Sequence, residues 1–193
     1  MTFFENIYII PLFYGLAILG AIRDGARGFE RQAQAAKLFE EAYVRSPDHP
    51  GVLHYLIHAY DDPVHAEQGL EAARRYAKAA AAVPHAMHMP SHIFTRLGYW
   101  DESAAANERA WQASELDVKR AGEPGTLRDF HSLNYLQYAY LQLGRYQNAR
   151  RTLDHRCSIR CLDRQEDSAG HSRAAIAPCS WTDHLCHSGP RRV

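Results

Sequence analysis

The chain has 193 residues, of which 46% are hydrophobic and 23% are charged, so it is long enough for one globular domain with a sizeable core. Its 22 basic and 22 acidic residues give a formal net charge of zero, which argues against a nucleic-acid partner and against an acidic cation buffer. Twelve histidines stand out in this ordinary composition.

The first predicted element is an apolar helix over residues 5–22. Its stretch 7–22, IYIIPLFYGLAILGAI, has 16 residues and contains Pro11 and Gly15, whereas a membrane span needs about 20 apolar residues. Glu5 precedes the stretch, whereas a signal peptide begins with basic residues. We therefore expect a buried first helix, no membrane span and, by default, a cytoplasmic protein.

Seven further helices follow from the apolar periodicity and from the Gly and Pro residues that interrupt it. They are predicted at residues 29–45, 51–61, 64–81, 90–97, 101–117, 128–143 and 146–154. Asp62 and Pro63 suit the start of the helix at 64. Pro90 removes one backbone hydrogen bond, so it starts or kinks the helix at 90. Residues 118–127 are expected to form a polar linker.

The sequence changes character after residue 154, which predicts a helical domain over residues 1–154 and an irregular tail over 155–193. The tail contains every cysteine and loses the helical periodicity, unlike the polar capping helix of a repeat stack. One interpretation is an off-frame translation of a longer repeat protein. The alternative is a small metal-binding tail, although its spacings match no common zinc pattern. Its ligands would be Cys157, Cys161, Cys179, Cys186, His184 and His187.

One pattern recurs along the chain: an apolar helix, a Gly or Pro break, and a second helix that ends in small residues. The matching residues are Ala35, Phe39, Ala42 and Pro47 in a first unit, Leu53, Leu56, Tyr60, Ala72, Tyr76, Ala79 and Pro84 in a second, Met87, Phe94, Gly98 and Trp100 in a third, and Leu133, Leu136, Tyr140, Gly144, Tyr146 and Ala149 in a fourth. Over residues 5–153 the chain thereby resembles the tetratricopeptide repeat family, whose unit is a 34-residue helix–turn–helix.

This resemblance implies an all-α fold, a right-handed solenoid of antiparallel helix pairs. Two shorter strings, HYLIHAYDDP at 54–63 and HMPSHIF at 88–94, resemble more narrowly a group of bacterial tetratricopeptide proteins. The narrower resemblance supports the fold and leaves the function open.

In the tetratricopeptide family, the first helix of each pair lines a concave groove, so the resemblance also implies a set of groove side chains. Six of the fifteen groove positions in the last three units are histidine, although the first 150 residues contain only eight histidines. The candidate groove residues are His54, His58, Asp61, Asp62, His85, His88, His92, Arg96, His131, Asn134 and Tyr138.

Helical periodicity supports this cluster independently of the family. His54 and His58 are separated by four positions, as are His88 and His92, so each pair shares one helix face. Neutral imidazole is the commonest metal ligand. These four histidines therefore predict a site for zinc or another divalent transition metal, with an aspartate of residues 61–62 to complete it or to orient a ring.

Three functions remain open for the histidine cluster. The favoured one is a non-catalytic scaffold that binds a protein segment, a peptide or a small polar ligand in the groove. The alternative is a metal-binding protein, including a metal-dependent hydrolase, although Tyr55 occupies the position of the glutamate base in an H-E-x-x-H protease. In the third, the histidines only hydrogen-bond neighbouring helices to one another.

Overall fold

The computed structural model of the chain describes residues 3–21, 28–79 and 83–168. Within these ranges every regular element is helical. The α-helices are α1 (Phe3–Gly20), α2 (Glu30–Arg45), α3 (Pro50–Ala59), α4 (Leu70–Ala79), α5 (Pro84–His88), α6 (Pro90–Leu97), α7 (Trp100–Ala121), α8 (Phe130–Gln142) and α9 (Tyr146–Ser168). Two short 3-10 helices are added, at Ala66–Gly69 and Gly125–Leu127.

The helices pack in the order in which they follow one another along the chain. α1 contacts α2, α3 contacts α4, α5 and α6 contact α7, and α8 contacts α9. These pairs stack on one another through contacts of α2 with α3, α4 with α6, and α7 with α8. Such nearest-neighbour packing is typical of a helical-repeat solenoid. The predicted all-α architecture of stacked helix pairs is therefore confirmed.

Two of the predicted breaks between paired helices are glycines in the left-handed backbone region. Gly98 has φ 75° and ends α6, and Gly144 has φ 68° and follows α8. The amide of Tyr99 donates to the carbonyl of Phe94 at 2.9 Å, and the amide of Arg145 donates to that of Tyr140 at 2.8 Å. These bonds satisfy carbonyls at the helix ends and let the chain reverse into the next helix.

The helix break predicted at Pro90 is also present. α5 ends at His88 and α6 begins at Pro90, while Met89 between them keeps helical angles of φ −49° and ψ −42°. Proline has no N–H, so one intrahelical hydrogen bond is missing at this point. Because the backbone stays helical through Met89, His88 and His92 still lie on one face.

Two predicted helix boundaries differ from the structure: the start of α4 and the end of α7. The helix expected from 64 begins at Leu70, because the Asp62 carboxylate accepts from the amides of Val64 and His65 at 2.9 and 3.2 Å and so caps a local turn. α7 continues to Ala121 and ends at Gly122, which has φ 68°. The linker expected from 118 is therefore shorter.

The last helix also differs from its prediction. α9 runs to Ser168, whereas the apolar periodicity predicted an end at residue 154. Beyond residue 154 the sequence has no regular apolar spacing, so periodicity gave no signal for the rest of the helix, although Ile159 is buried in the core. Residues 169–193 of the predicted tail lie outside the described residues.

Over residues 11–20, where its side chains are described, helix α1 packs on α2 with one face and exposes another, so the expectation of a buried helix holds for part of it. Gly15 faces Phe39 so closely that an added Cβ would lie 2.5 Å from its ring. Phe13 and Tyr14 on the other face are 65% and 57% exposed. Among the described residues no helix is both long and apolar enough to cross a bilayer.

The apolar core consists of two clusters that follow each other along the stack. The first joins α2, α3, α4 and α6 around Phe39 and Leu53, and the second joins α7, α8 and α9 around Trp111 and Leu133. Buried polar side chains of the described residues fall in helices α5 to α8; they are His88, Ser91, Ser103, Asn107, Ser114 and Ser132. This polar layer holds part of the candidate site.

Candidate metal centre

The six histidines predicted for the groove lie together in one cluster. They come from four helices: His54 and His58 from α3, His85 and His88 from α5, His92 from α6, and His131 from α8. Ring centroids are 5.2 Å apart for His54 and His85, 6.1 Å for His58 and His92, and 4.6 Å for His88 and His131. The inner helices therefore direct their imidazoles toward one another.

The ligand nitrogens of this cluster form two groups of three. We call His88, His92 and His131 the inner triad, and His54, His58 and His85 the outer triad. Within each triad the ligand atoms lie within 4.8 Å of one another. Each of the predicted pairs, 54/58 and 88/92, therefore has a third histidine beside it, His85 and His131 respectively.

The inner triad runs from the polar layer of the core to the surface. His88 is fully buried, the His92 side chain is 12% exposed, and His131 is exposed. A metal ion held here would have protein on one side and the open face of the stack on the other.

The protonated nitrogen of His88 is fixed by Asn107 of α7. The Asn107 Nδ2 donates to the backbone carbonyl of Ser103 at 2.8 Å. That carbonyl can only accept, so the amide oxygen Oδ1 must face His88, whose Nδ1 lies 2.6 Å away. His88 Nδ1 therefore carries the hydrogen, and in the neutral ring Nε2 carries a lone pair.

A carboxylate fixes His92 in the same way. The Asp61 Oδ2 accepts from His92 Nδ1 at 2.8 Å, while Oδ1 accepts from Arg96 Nε at 2.8 Å. The hydroxyl of Tyr135 lies 3.4 Å from the same His92 nitrogen. Because an ionised carboxylate only accepts, Nδ1 of His92 is also the protonated nitrogen. The Nε2 of a neutral His92 then has a lone pair too.

These two assignments bring two lone pairs together. His88 Nε2 and His92 Nε2 are 3.0 Å apart, a hydrogen-bond distance at which neither neutral ring has a proton to donate. A cation between the two nitrogens resolves the conflict. Two nitrogens on one tetrahedral zinc, each about 2.0–2.1 Å from the metal, lie about 3.3 Å apart. The observed spacing therefore suits a shared metal ion after a small adjustment.

Two groups of the inner site have shifted pKa values. Burial lowers the pKa of His88 to about 4, although its hydrogen bond to Asn107 acts in the opposite direction. Burial alone would raise the pKa of Asp61, but the hydrogen bonds from His92 and Arg96 lower it to about 2. At neutral pH His88 is thus a neutral imidazole, and Asp61 is an anion.

The outer triad has similar rings in a less constrained setting. His54 Nε2 and His58 Nε2 are 3.0 Å apart, and His54 Nδ1 lies 3.4 Å from the hydroxyl of Tyr76. His58 and His85 are exposed. Burial, followed by neighbouring histidines, lowers the pKa of His54 to about 4. Burial is also the largest cause of the lowered pKa values of His58 and His85.

Three predicted groove residues are engaged elsewhere. The Asp62 carboxylate holds His65 Nδ1 at 2.9 Å in the loop after α3. The Asn134 side chain accepts a hydrogen bond from Arg156 of α9. Tyr138 packs edge-to-face on Trp100 at 5.6 Å. Asp61 and Arg96, by contrast, lie beside the inner triad as predicted.

Neither Asn107 nor Tyr135 was predicted as a residue of the site. Tyr135 is four positions after His131, and its ring centroid is 4.9 Å from that of His88 and 5.1 Å from that of His92. This spacing was a usable signal, because the two residues share a helix face. Asn107 lies within the alanine-rich run of α7, and nothing in its local sequence marks it as the acceptor for a histidine.

The metal-binding tail proposed as an alternative lies almost entirely outside the described side chains. Cys157, on α9, is disulfide-bonded. The side chains of the other candidate ligands in the tail are not among those the structure describes.

Comparisons with known proteins give structural similarity only. No family model matches the chain, and no curated protein matches it in sequence. A mutant of MamA is similar over 77% of this chain and 94% of its own, at 14% identity and a TM-score of 0.47. A second structure, MamA AMB-1, is similar over 87% of this chain and 95% of its own, at 13% identity and a TM-score of 0.48. These scores do not identify a family, so the site is interpreted from its own geometry.

Proposed function

We propose that this protein is a helical-repeat scaffold that binds a divalent transition metal ion, such as Zn²⁺, at the inner triad. The observation that carries the proposal is the orientation of two rings. His88 and His92 each commit Nδ1–H to an acceptor of the protein, which leaves both Nε2 lone pairs facing each other at 3.0 Å. Imidazole nitrogen is a preferred ligand of zinc, copper, iron and nickel.

The neighbours of the rings add to this support. A ligating histidine usually donates its second N–H to a carboxylate or carbonyl, which fixes the ring and makes it a stronger ligand. Asp61 does this for His92, and the Asn107 amide oxygen does it for His88. Three histidines also leave a fourth tetrahedral position open, as in zinc sites that bind a further ligand.

A proton shared between His88 and His92 is the competing explanation for the short distance. It requires one ring to be a cation at neutral pH. Burial opposes that in His88, whose pKa is lowered to about 4, so His92 would have to carry the charge beside Asp61. A shared proton gives no role to His131, whereas a metal ion uses its nitrogen as a third ligand.

We propose metal binding without hydrolysis, because a hydrolase needs a free base beside the metal-bound water. Both oxygens of Asp61 accept hydrogen bonds, from His92 and Arg96. Asp129 is likewise engaged, with the amide and hydroxyl of Ser132. Among the described residues, these are the carboxylates whose charge acts on His88 or His92.

The test is the metal content of protein purified without an affinity tag. Elemental analysis after dialysis should find at least one equivalent of a transition metal. His131→Ala, which truncates an exposed side chain, and His88→Ala should each abolish zinc binding at the inner triad. Circular dichroism confirms that each variant is folded.

The control is His49→Asn. His49 lies outside the cluster and caps α3 by accepting from the amide of Val52, and asparagine retains that capping ability. This variant should bind metal as the wild type does. Metal-free protein that takes up no zinc, or equal binding by wild type and His88→Ala, would overturn the proposal.

A second candidate is binding of a peptide that carries a carboxylate, favoured by the exposed cation beside the inner triad. The Arg96 side chain is 41% exposed beside Asp61, and farther along α8 from His131 Tyr138 and Leu141 are 48% and 44% exposed. The open metal position and the Arg96 guanidinium would hold the carboxylate, and the α8 side chains would contact the flanking residues.

Fluorescence anisotropy with labelled acidic peptides tests this second candidate. Zinc-loaded protein should bind a peptide with a free carboxylate at least about tenfold more tightly than its amidated form, and Arg96→Gln should remove the preference. Equal affinity for both peptides would exclude carboxylate recognition while leaving the metal site intact.

A further inference from the structure

We propose that the outer triad is a second metal site, one that takes a divalent transition metal ion more weakly than the inner triad and exchanges it readily. This extends the metal-binding function above, because it assigns the remaining three histidines of the cluster to a separate ion.

The first argument is the convergence of nitrogens from two different helices. His54 and His58 lie on one face of α3 with their Nε2 atoms 3.0 Å apart. His85 approaches from α5, with its ring centroid 5.2 Å from that of His54. The three ligand atoms lie within 4.8 Å of one another. As in the inner triad, two nitrogens come from histidines four positions apart and the third comes from another helix.

The second argument is that the two triads are distinct. They share no residue. Between the two triads, the ring centroids of His58 and His92 are 6.1 Å apart and those of His85 and His88 are 6.5 Å apart. Within the triads the paired rings are 4.8 Å apart, and the rings of His92 and His131 are 5.9 Å apart. One ion cannot be bound by all six imidazoles at metal–nitrogen distances of about 2.0–2.1 Å, so the cluster provides for two.

The third argument concerns affinity. The inner rings are oriented by hydrogen bonds to a carboxylate and to a buried amide. In the described part of the chain, the outer rings have one hydrogen-bond partner outside the triad, the Tyr76 hydroxyl at 3.4 Å from His54. Removing such orienting partners typically lowers metal affinity about 10–100-fold. The exposure of His58 and His85 also allows water to reach the ion directly.

The chemistry of the site follows from its donors. Three neutral imidazoles offer nitrogen ligands, water completes the coordination, and no carboxylate takes part. This donor set favours zinc, copper or nickel over magnesium or calcium. The bound ion keeps its full double charge, because no anionic ligand compensates it. Such a site suits an ion that is held briefly.

Isothermal titration of metal-free, tag-free full-length protein with zinc tests the inference. The wild type should bind two equivalents in two phases, the second at least about tenfold weaker than the first. His58→Asn and His85→Gln, both at exposed positions, should each abolish the weaker phase and leave the tighter phase unchanged. His131→Ala should do the reverse.

The outcomes separate this inference from the proposed function. A single equivalent that is lost only in His131→Ala overturns the second site and keeps the first. A single equivalent that is lost equally in His58→Asn and His131→Ala indicates one ion across the cluster, and it overturns the division in two. No zinc binding at all overturns both proposals.

Discussion

The inner and outer triads contain the same ligands in the same local arrangement, yet they differ in what lies behind the rings. Each has a pair of histidines separated by four positions, with Nε2 atoms 3.0 Å apart, and a third histidine from another helix. Only the inner pair has strong acceptors on both Nδ1 atoms, at 2.6 and 2.8 Å.

This difference shows that a histidine pattern does not by itself define a metal site. The ligands fix where an ion can bind, and the groups that hold the unused nitrogens fix how well the rings are oriented for it. The following experiments change those groups one at a time.

Acidification should produce the largest effect, because one histidine in each triad has a strongly lowered pKa. In the unfolded chain both titrate at 6.5, whereas in the folded protein His54 and His88 titrate at about 4. Between these values the unfolded state binds more protons, so the stability of the metal-free protein falls as the pH falls from 6.5 to 4. Thermal unfolding should show a decrease of about 5 °C or more.

Two variants test this assignment. Both histidines shift from 6.5 to about 4, so His88→Gln and His54→Gln should each remove a comparable part of the pH dependence. An unchanged pH dependence in either variant, or a stability that rises on acidification, would contradict the lowered pKa values.

Replacing the amide behind His88 should give the next largest effect. Asn107→Leu keeps a similar volume but removes the acceptor for His88 Nδ1–H, and we expect zinc affinity at the inner triad to fall about 10–100-fold. The free energy of unfolding should also fall by about 1–3 kcal/mol, because the buried His88 Nδ1–H loses its acceptor, the Asn107 amide oxygen.

The outer triad serves as the internal reference for this variant, since its affinity should not change. Asn107→Asp, which retains an acceptor toward His88, should recover part of the loss. If both phases of the zinc titration weakened together, the effect would come from a general loss of structure rather than from His88.

Neutralising the carboxylate behind His92 should give a smaller effect. Asp61→Asn keeps an oxygen that can accept from Nδ1 but removes the charge, so we expect about a tenfold loss of zinc affinity at the inner triad. Asp62→Asn is the matched control, because Asp62 is adjacent in sequence but bonds to His65 in the loop. An identical result for the two variants in the zinc titration would argue against a role for Asp61.

Much of the fold was predictable because its signals are local. Glycines with positive φ at 98 and 144, and the proline at 90, mark helix ends in the sequence and in the structure. The start of α4 was not predictable from Asp62-Pro63, because the same capping contacts support a turn as well as a helix. The end of α9 was missed because the sequence beyond residue 154 has no regular apolar spacing.

The candidate site was likewise predictable only where the signal is local. The pairs 54/58 and 88/92 follow from spacing alone, since residues four apart share a face of a helix. Which third ring joins each pair depends on how α3, α5 and α8 pack, and sequence spacing does not contain that register. Tyr135, four positions after His131 on α8, also lies beside the cluster and was not predicted there, while the predicted Asn134 accepts a hydrogen bond from Arg156.

The smallest predicted effect compares two phenols at the same distance from the two sites. The Tyr76 hydroxyl lies 3.4 Å from His54 Nδ1 in the outer triad, and the Tyr135 hydroxyl lies 3.4 Å from His92 Nδ1 in the inner triad. Tyr76→Phe should weaken the outer phase of the zinc titration by about threefold, because a long neutral hydrogen bond contributes little. Tyr135→Phe should change the inner phase less, since Asp61 already holds His92. A larger effect of Tyr135→Phe than of Tyr76→Phe would show that Asp61 does not fix the His92 ring, and the distinction between a constrained and an unconstrained triad would then be lost.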